Sequence, residues 1–313
     1  MQTKQKIKWL LFHEPIELFV RTAKDFQKHL NELTNNKFEL EIMTWDDYSE
    51  KYLDGTICEP ITELKKGNVQ ITQVFSDAAG KVNATDFYAL GMPYLFESHD
   101  HATRVFEGEI GKKLFEHLYE KSGVRGLAYT YSGGYRCTAS TTPIRKVEDF
   151  ANKTFKRENN PIMADMIDLV KAKKVSNLPS NKEKIELSEI AQTTYPRYHV
   201  DATKSQRYVA DTKHSMFLTT ILCNDEFMNS LSEQDKEHFY EAALRASRIE
   251  RKQSVADAEE IKTITARQKN LGIEEVVEWS DEEIAKLKQI WAPLYKKYEK
   301  FFTFDILNKI KKA

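Results

Sequence analysis

Apolar and polar positions along this chain follow two distinct periods. Ile7 to Phe12 is a short continuous apolar run that stops at His13-Glu14-Pro15, where proline removes a backbone donor, and it predicts a buried strand. From Ile16 onward Phe19, Val20, Ala23, Phe26 and Leu30 recur at three- and four-residue spacing, the period of a helix ending near Asn35-Asn36. Phe38 to Met43 then alternates as a second strand. Strand, helix, strand is the unit from which parallel sheets with covering helices are built, and such sheets take ligands beyond the carboxyl ends of their strands. His13, Glu14 and Trp45 fall at those ends.

The pattern repeats. Ile61 to Lys66 reads as the end of a helix closed by Gly67, Val69 to Phe75 as a strand, and Asp77, Gly80 and Asn83 as a loop. Phe75 occupies another strand end. After the broken apolar stretch Ala89 to Phe96, Ser98 caps a helix predicted through about Lys121 and stopped by Gly123. Val124 to Tyr131 is a strand that delivers the chain to Gly133-Gly134, where a sharp turn is permitted and the chain is expected to pass from one lobe into another. His214 to Asn224 reads as the strand that returns. Ser232 through Leu271 is amphipathic at helical spacing and closed by Gly272; at 1.5 Å per residue it would span on the order of 60 Å, longer than one lobe, so it should bridge both. Gly272 to Trp279 reads as a last strand, and Asp281 to Lys300 as a closing helix with Trp291, Tyr295 and Tyr298 as a core stripe. The expected division is residues 1–130 plus about 215–250 in lobe I and 131–214 plus about 251–313 in lobe II, joined by crossing strands and the long helix at about 232–271.

Composition agrees with two cores, the commoner solution for 313 residues with 41% hydrophobic content. Lys+Arg 47 against Asp+Glu 48 gives a formal charge of -1, which supplies no general attraction for nucleic acid or an anionic membrane. No apolar run approaches the roughly 20 residues that span a bilayer. The start MQTKQKIKWLLF lacks the apolar core and cleavage site of a secretory signal, so Met1 is native or stands in place of a removed leader. The 3 cysteines, Cys58, Cys137 and Cys223, form no complete disulfide framework and no zinc element.

Local chemistry is concentrated around the Gly-Gly turn. Arg136, Lys156 and Arg157 are cations near strand or turn positions rather than on a helix surface, although solvated charge is the usual fate of any one of them. Nucleophilic sets built on His199 with Asp201, or on Cys137 with a distant His, lack a nucleophile elbow or similar context. His99-x-His101 with Glu97 has metal-ligand character, yet Ser98 caps a helix there and such polar first turns are ordinary. A non-enzymatic protein without cofactor or metal is therefore expected.

The ordered pieces ELKKGNVQIT, ALGMPYLFESHDHATRVFEGEIGKKL, GVRGLAYTYSGGYRCTAST and TPIRKVEDFANKTFKR resemble the extracytoplasmic solute receptors of TRAP transporters, of the C4-dicarboxylate-receptor type. P-Y-L-F followed by a helix with E-G-E-I-G, and P-I-x-x-x-E-D-F before a short strand, are the most specific pieces. They cover about residues 60 to 157, and a looser match runs from Ile7 to about Tyr298. The resemblance implies a two-lobed α/β fold like that of periplasmic binding proteins, with mixed sheets flanked by helices. It further implies a periplasmic protein that closes on a small organic acid between its lobes and hands it to a TRAP membrane permease, itself neither inserted in the membrane nor bound to nucleic acid. A receptor for a sensor kinase is the other use of such a fold, and a hydrolase the remote one.

Two departures from the family pattern bear on the ligand. The family strand reading close to G-L-K-I-R-V supplies an arginine for the ligand carboxylate, and the count from Asp149 places Lys156 there, or Arg157 if the strand shifts by one residue. An ammonium cannot make the planar two-bond fork of guanidinium. Asn159 lies where the family often places a further polar contact, and Arg136 matches an arginine frequent before the T-x-S segment. Where the family reads close to E-V-Y-x-A-L-Q-x-G-x-V-D-G, this chain has EKIELSEIAQTTYPRY without Asp-Gly. There Tyr195 offers a stacking face and Arg197 a cation, and Arg197 is favoured as the replacement anchor. The expected binding set is His13, Glu14, Trp45 and Phe75 from lobe I with Arg136, Lys156, Arg157, Asn159, Tyr195 and Arg197 from lobe II.

Overall fold

A computed structural model describes residues 4–11, 17–56, 59–156, 160–175 and 187–313. His13, Glu14, Arg157 and Asn159 lie outside the described residues. The chain divides into two compact units, the first made of Met1–Thr85, Thr103–Tyr131 and Leu218–Gln253, the second of Asp86–Ala102, Ser132–Phe217 and Ser254–Ala313. Residues 86–102, which sequence pattern assigns to the first lobe, belong to the second unit.

The first sheet has the order β2-β1-β3-β10-β4, from β1 (Gln5–Leu11), β2 (Phe38–Met43), β3 (Ile71–Phe75), β10 (Met216–Asn224) and β4 (Val124–Tyr135). β1 pairs in parallel with β2 and β3, whereas β10 runs antiparallel to β3. The helix Glu17–Thr34 lays its apolar face on the strands through Phe19, Ala23, Phe26 and Leu30, as its spacing predicts. Trp9, Phe26, Phe38 and Phe239 form the aromatic centre of this unit, with ring centroids 5.0 Å (Trp9–Phe26), 5.8 Å (Phe26–Phe239) and 5.1 Å (Phe38–Phe239) apart. Edge-to-face pairs of this kind add about 0.5–1.5 kcal/mol each beyond area burial.

The second sheet has the order β11-β9-β5-β8-β6-β7, from β5 (Cys137–Ser140), β6 (Thr154–Lys156), β7 (Lys173–Val175), β8 (Ile190–Thr193), β9 (Tyr208–Ala210) and β11 (Glu275–Val277). It is mixed: β5 is antiparallel to both β8 and β9, while β6 is parallel to β7 and β8. Two mixed sheets flanked by helices make this an α/β protein.

Several helices differ from the pattern read in sequence, among them the closing one, which breaks at Pro293 into Asp281–Trp291 and Pro293–Tyr298. Asp77–Lys81 is a short helix rather than a loop. The helix that Ser98 caps ends at Glu107 and restarts as Glu109–Ser122, with Gly108 between them. The long helix Glu233–Thr263 has 31 residues, about 46 Å. It stops at Ile264 before a separate turn, Thr265–Leu271. The run Ile261, Thr263, Ile264, Thr265 crowds β-branched side chains, and the Thr263 hydroxyl donates to Glu259 O at 2.7 Å, a back-bond that weakens the end of a helix.

Candidate functional site

The chemistry of the second unit is assembled where β4 passes through Gly133-Gly134 into β5. Gly133 has φ +89°, and a Cβ there would lie 2.1 Å from Thr194 Oγ1, so a side chain is barred on two grounds. That close approach lets the Thr194 hydroxyl donate to Ser132 O at 2.8 Å, locking β4 to the end of β8. Arg136 follows directly. Its backbone N–H donates to Ser215 O at 2.7 Å, and its guanidinium lies 4.0 Å from the Phe217 ring centroid with the residue only 6% exposed.

Arg197 shares that ring, at 4.9 Å. It is 3% exposed and heavily engaged: Nε donates to Asp201 Oδ2 at 3.0 Å, Nη2 to Asp201 Oδ1 at 2.9 Å, and Nη1 reaches Ser132 Oγ at 3.3 Å. The Thr193 hydroxyl adds a bond to Asp201 Oδ2 at 3.1 Å. Burial by itself would push the Asp201 carboxyl up. The Arg197 guanidinium, the Lys156 ammonium and the Thr193 hydroxyl outweigh it and hold the group below the usual carboxylate range. Lys156 ends β6 at 3% exposure, in the electrostatic reach of the same carboxylate. Phe155 beside it is buried against Phe150, ring centroids 6.2 Å apart.

The other expected residues fall in different surroundings. Tyr195 is buried in a cluster with Cys137, Ala139, Tyr198, Val209, Ile261 and Ile273. Burial, reinforced by the Asp211 carboxylate, pushes its phenol far above the ordinary range. In the first unit Trp45 begins the helix Trp45–Tyr52, which Thr44 caps, and Phe75 ends β3 with its ring 6.1 Å from Phe19; both are half-buried.

The groups that suggested other chemistry are occupied structurally. His101 accepts the Glu97 N–H at Nδ1 (3.1 Å) and bonds Ile310 O through Nε2 (2.7 Å), while the His99 ring packs 4.8 Å from Tyr135. Among the described residues no group of three or more His, Cys, Asp or Glu side chains could hold a metal ion. Burial raises the Cys137 thiol well above its ordinary range, so it supplies no thiolate, and His199 is exposed while Asp201 serves Arg197.

A family model for bacterial extracellular solute-binding proteins, family 7, matches residues 13–181 and 194–301. The chain belongs to that family. The C4-dicarboxylate-binding periplasmic protein DctP of Rhodobacter capsulatus is 23% identical over 277 residues, covering 87% of this chain and 80% of the relative. A TRAP periplasmic solute-binding protein of Shewanella oneidensis with bound succinate has the same fold, with TM-score 0.82 at 16% identity over 99% of each chain. One of Xanthobacter autotrophicus with bound β-D-galacturonate gives TM-score 0.79 at 22% identity, over 98% of this chain and 99% of that one.

Within this family 7 solute-binding protein, several polar groups near Arg136 escaped the sequence reading. Thr138 and Gln192 sit directly opposite each other on β5 and β8, and Thr138 Oγ1 and Gln192 Oε1 are buried without a hydrogen-bond partner among the described residues. Nε2 of His214 and Oγ of Ser215 share that condition. Burial, and secondarily the Arg136 charge, pushes the His214 imidazole down to about 3, so it is neutral at physiological pH. Asn160 caps the helix Pro161–Leu169, its Oδ1 accepting the Ile162 N–H at 2.9 Å; the Asn-Pro pair was the signal that could have found it. Phe217 carried no such signal, because an aromatic in a strand reads as core.

Proposed function

We propose that this chain is the extracytoplasmic solute-binding subunit of a TRAP-type transporter, that it captures a small organic acid, and that Arg136 and Lys156 hold the ligand carboxylate. The observation that carries the assignment of residues is the set of three cations of the second unit, Arg136, Lys156 and Arg197, each at most 6% exposed. A desolvated cation attracts a carboxylate more strongly than one in water, and the Arg197 guanidinium is paired with Asp201. Named relatives with bound succinate and β-D-galacturonate support an acid as the ligand class. Delivery to a membrane permease, residence in the periplasm and enclosure of the ligand by closure of two lobes belong to the same reading.

A thermal-shift screen of dicarboxylic, sugar and aromatic acids, followed by calorimetry on the best hit, tests it. Lys156→Ala and Arg136→Ala are each expected to weaken binding by about 10- to 150-fold, the equivalent of one charge-assisted hydrogen bond. Ligand should also compact the protein in small-angle scattering. A cognate acid whose affinity ignores both substitutions would remove the carboxylate assignment.

A further inference from the structure

Two guanidinium groups of the second unit share one aromatic ring. β10 turns Met216 and Leu218, both buried, to one of its faces, and strand alternation puts Phe217 on the other. There the Phe217 ring centroid lies 4.0 Å from the guanidinium carbon of Arg136 and 4.9 Å from that of Arg197. The bond from the Arg136 backbone N–H to Ser215 O, 2.7 Å long, sets the two segments side by side. Both arginines are buried, so the ring face meets charges that bulk water screens little.

Like charges beside one ring repel, and the surroundings of Arg197 offset that cost. Its two bonds to Asp201, at 3.0 and 2.9 Å, fix the group and set a carboxylate against its charge. His214, which feels the Arg136 charge, is neutral at physiological pH and adds no further cation. At Arg136 the ring contact has a different consequence. A benzene ring draws the guanidinium charge as a whole but supplies no lone pair, so it restrains the group without competing for N–H···O bonds to a carboxylate. An aliphatic side chain would fill the same space and exert no such pull.

We propose that Phe217 is a positioning residue of the acid site, its ring holding the Arg136 guanidinium in the orientation that meets the ligand carboxylate. The inference rests on the reading of Arg136 as a carboxylate anchor and adds what presets that arginine. Presetting raises affinity because less side-chain freedom is lost when the acid binds.

Isothermal calorimetry with D-galacturonate and succinate as probe acids tests the proposal. Phe217→Leu and Phe217→Met keep an apolar side chain without a π-face, and each should weaken the better-bound probe about tenfold. Phe217→Tyr keeps the ring and should stay within about twofold of wild type. In an Arg136→Ala background Phe217→Leu should change affinity by less than about twofold, because a residue that acts through Arg136 has nothing left to position. A merely structural role would cost the same in both backgrounds. The proposal is overturned by wild-type affinity in the Leu and Met variants, by a Tyr variant as weak as the Leu one, or by an undiminished Leu effect in the Arg136→Ala background. Binding of neither probe at millimolar concentration, or Arg136→Ala without effect on either, would remove the acid-site reading and this inference with it. Loss of affinity in Arg136→Ala beside wild-type affinity in the Leu and Met variants would remove this inference alone.

Discussion

Asp201→Asn is the most informative single change, because it separates a structural from a ligand-binding use of Arg197. The pair is buried at both ends, with side-chain exposures of 4% and 9%, and has two N–O contacts at 2.9 and 3.0 Å. Charge centres about 4 Å apart attract by about 4 kcal/mol at an effective dielectric of about 20. Deleting one partner of such a pair leaves a buried charge without its counter-charge, which costs about 3–5 kcal/mol. Asp201→Asn should therefore lower the urea midpoint by the equivalent of at least about 3 kcal/mol with an unchanged slope. The double variant Arg197→Met, Asp201→Leu should recover most of that loss, since an apolar pair of similar volume is often neutral. The acid limb supplies the sign. Because the folded Asp201 carboxyl is depressed, its stabilisation is fully present above the ordinary aspartate range and is lost as pH falls through the lower folded value. Asp201→Asn should flatten that limb. A single-variant loss under about 1 kcal/mol would refute the reasoning. So would a folded double variant that loses ligand affinity as severely as Lys156→Ala, because Arg197 would then be an anchor and not a brace.

Three further outcomes are expected. Gly133→Ala should destabilise by about 2–4 kcal/mol, because it places a Cβ at positive φ and displaces the Thr194 hydroxyl from Ser132 O; a urea midpoint within about 0.5 kcal/mol of wild type would contradict this. The His214 ring should show no titration by NMR between pH 5 and 8. Its depressed folded value makes the chain lose stability as pH falls from the ordinary histidine range toward about 3, so His214→Gln should lose fewer degrees of melting temperature between pH 7 and 5 than wild type, and an equal loss would exclude the linkage. Trp279→Phe removes the indole N–H that donates to Ile144 O at 2.8 Å and should cost about 1–3 kcal/mol in chemical denaturation, with a neutral result assigning that carbonyl to solvent.

The sheet-forming segments were legible because their periods are strong: the apolar runs at Ile7 and Phe38 and the three-and-four spacing between them appear as β1, β2 and the helix Glu17–Thr34. Interruptions were less legible. Nothing in the apolar spacing marks Gly108 or Ile264 as breaks, since a helix can continue its pattern through one poor residue; before Ile264 it is β-branched crowding and the Thr263 hydroxyl bond that end it. The short terminal helix Ile306–Lys312 was missed because its burial depends on contacts remote in sequence, such as His101 to Ile310 O. At the candidate site the cations themselves were readable. Their partners were not, because the Arg197–Asp201 pair needs the helical turn Tyr198–Asp201 that follows Pro196, a segment whose composition reads as loop.

The Arg197–Asp201 pair bears on which residue would meet the proposed acid. With both carboxylate oxygens of Asp201 bound to Arg197, the fork that could have replaced the family's arginine is already closed on a ligand of its own chain. In the proposed site Lys156 is a point charge, which would attract a carboxylate without fixing its plane. Arg136 is the proposed group to fix it, its guanidinium carbon 4.0 Å from the Phe217 ring centroid and its backbone N–H bonded to Ser215 O. Orientation would be completed by neutral neighbours, Thr138, Gln192 and His214, each with a buried polar atom that no described residue satisfies. An acid bearing hydroxyl groups could satisfy them, whereas a bare dicarboxylate would leave them unpaired at about 1–3 kcal/mol apiece. In the acid screen, therefore, hydroxylated acids should outrank succinate, and a protein that prefers succinate over every hydroxy acid tested would show that these groups face water or one another in the bound state.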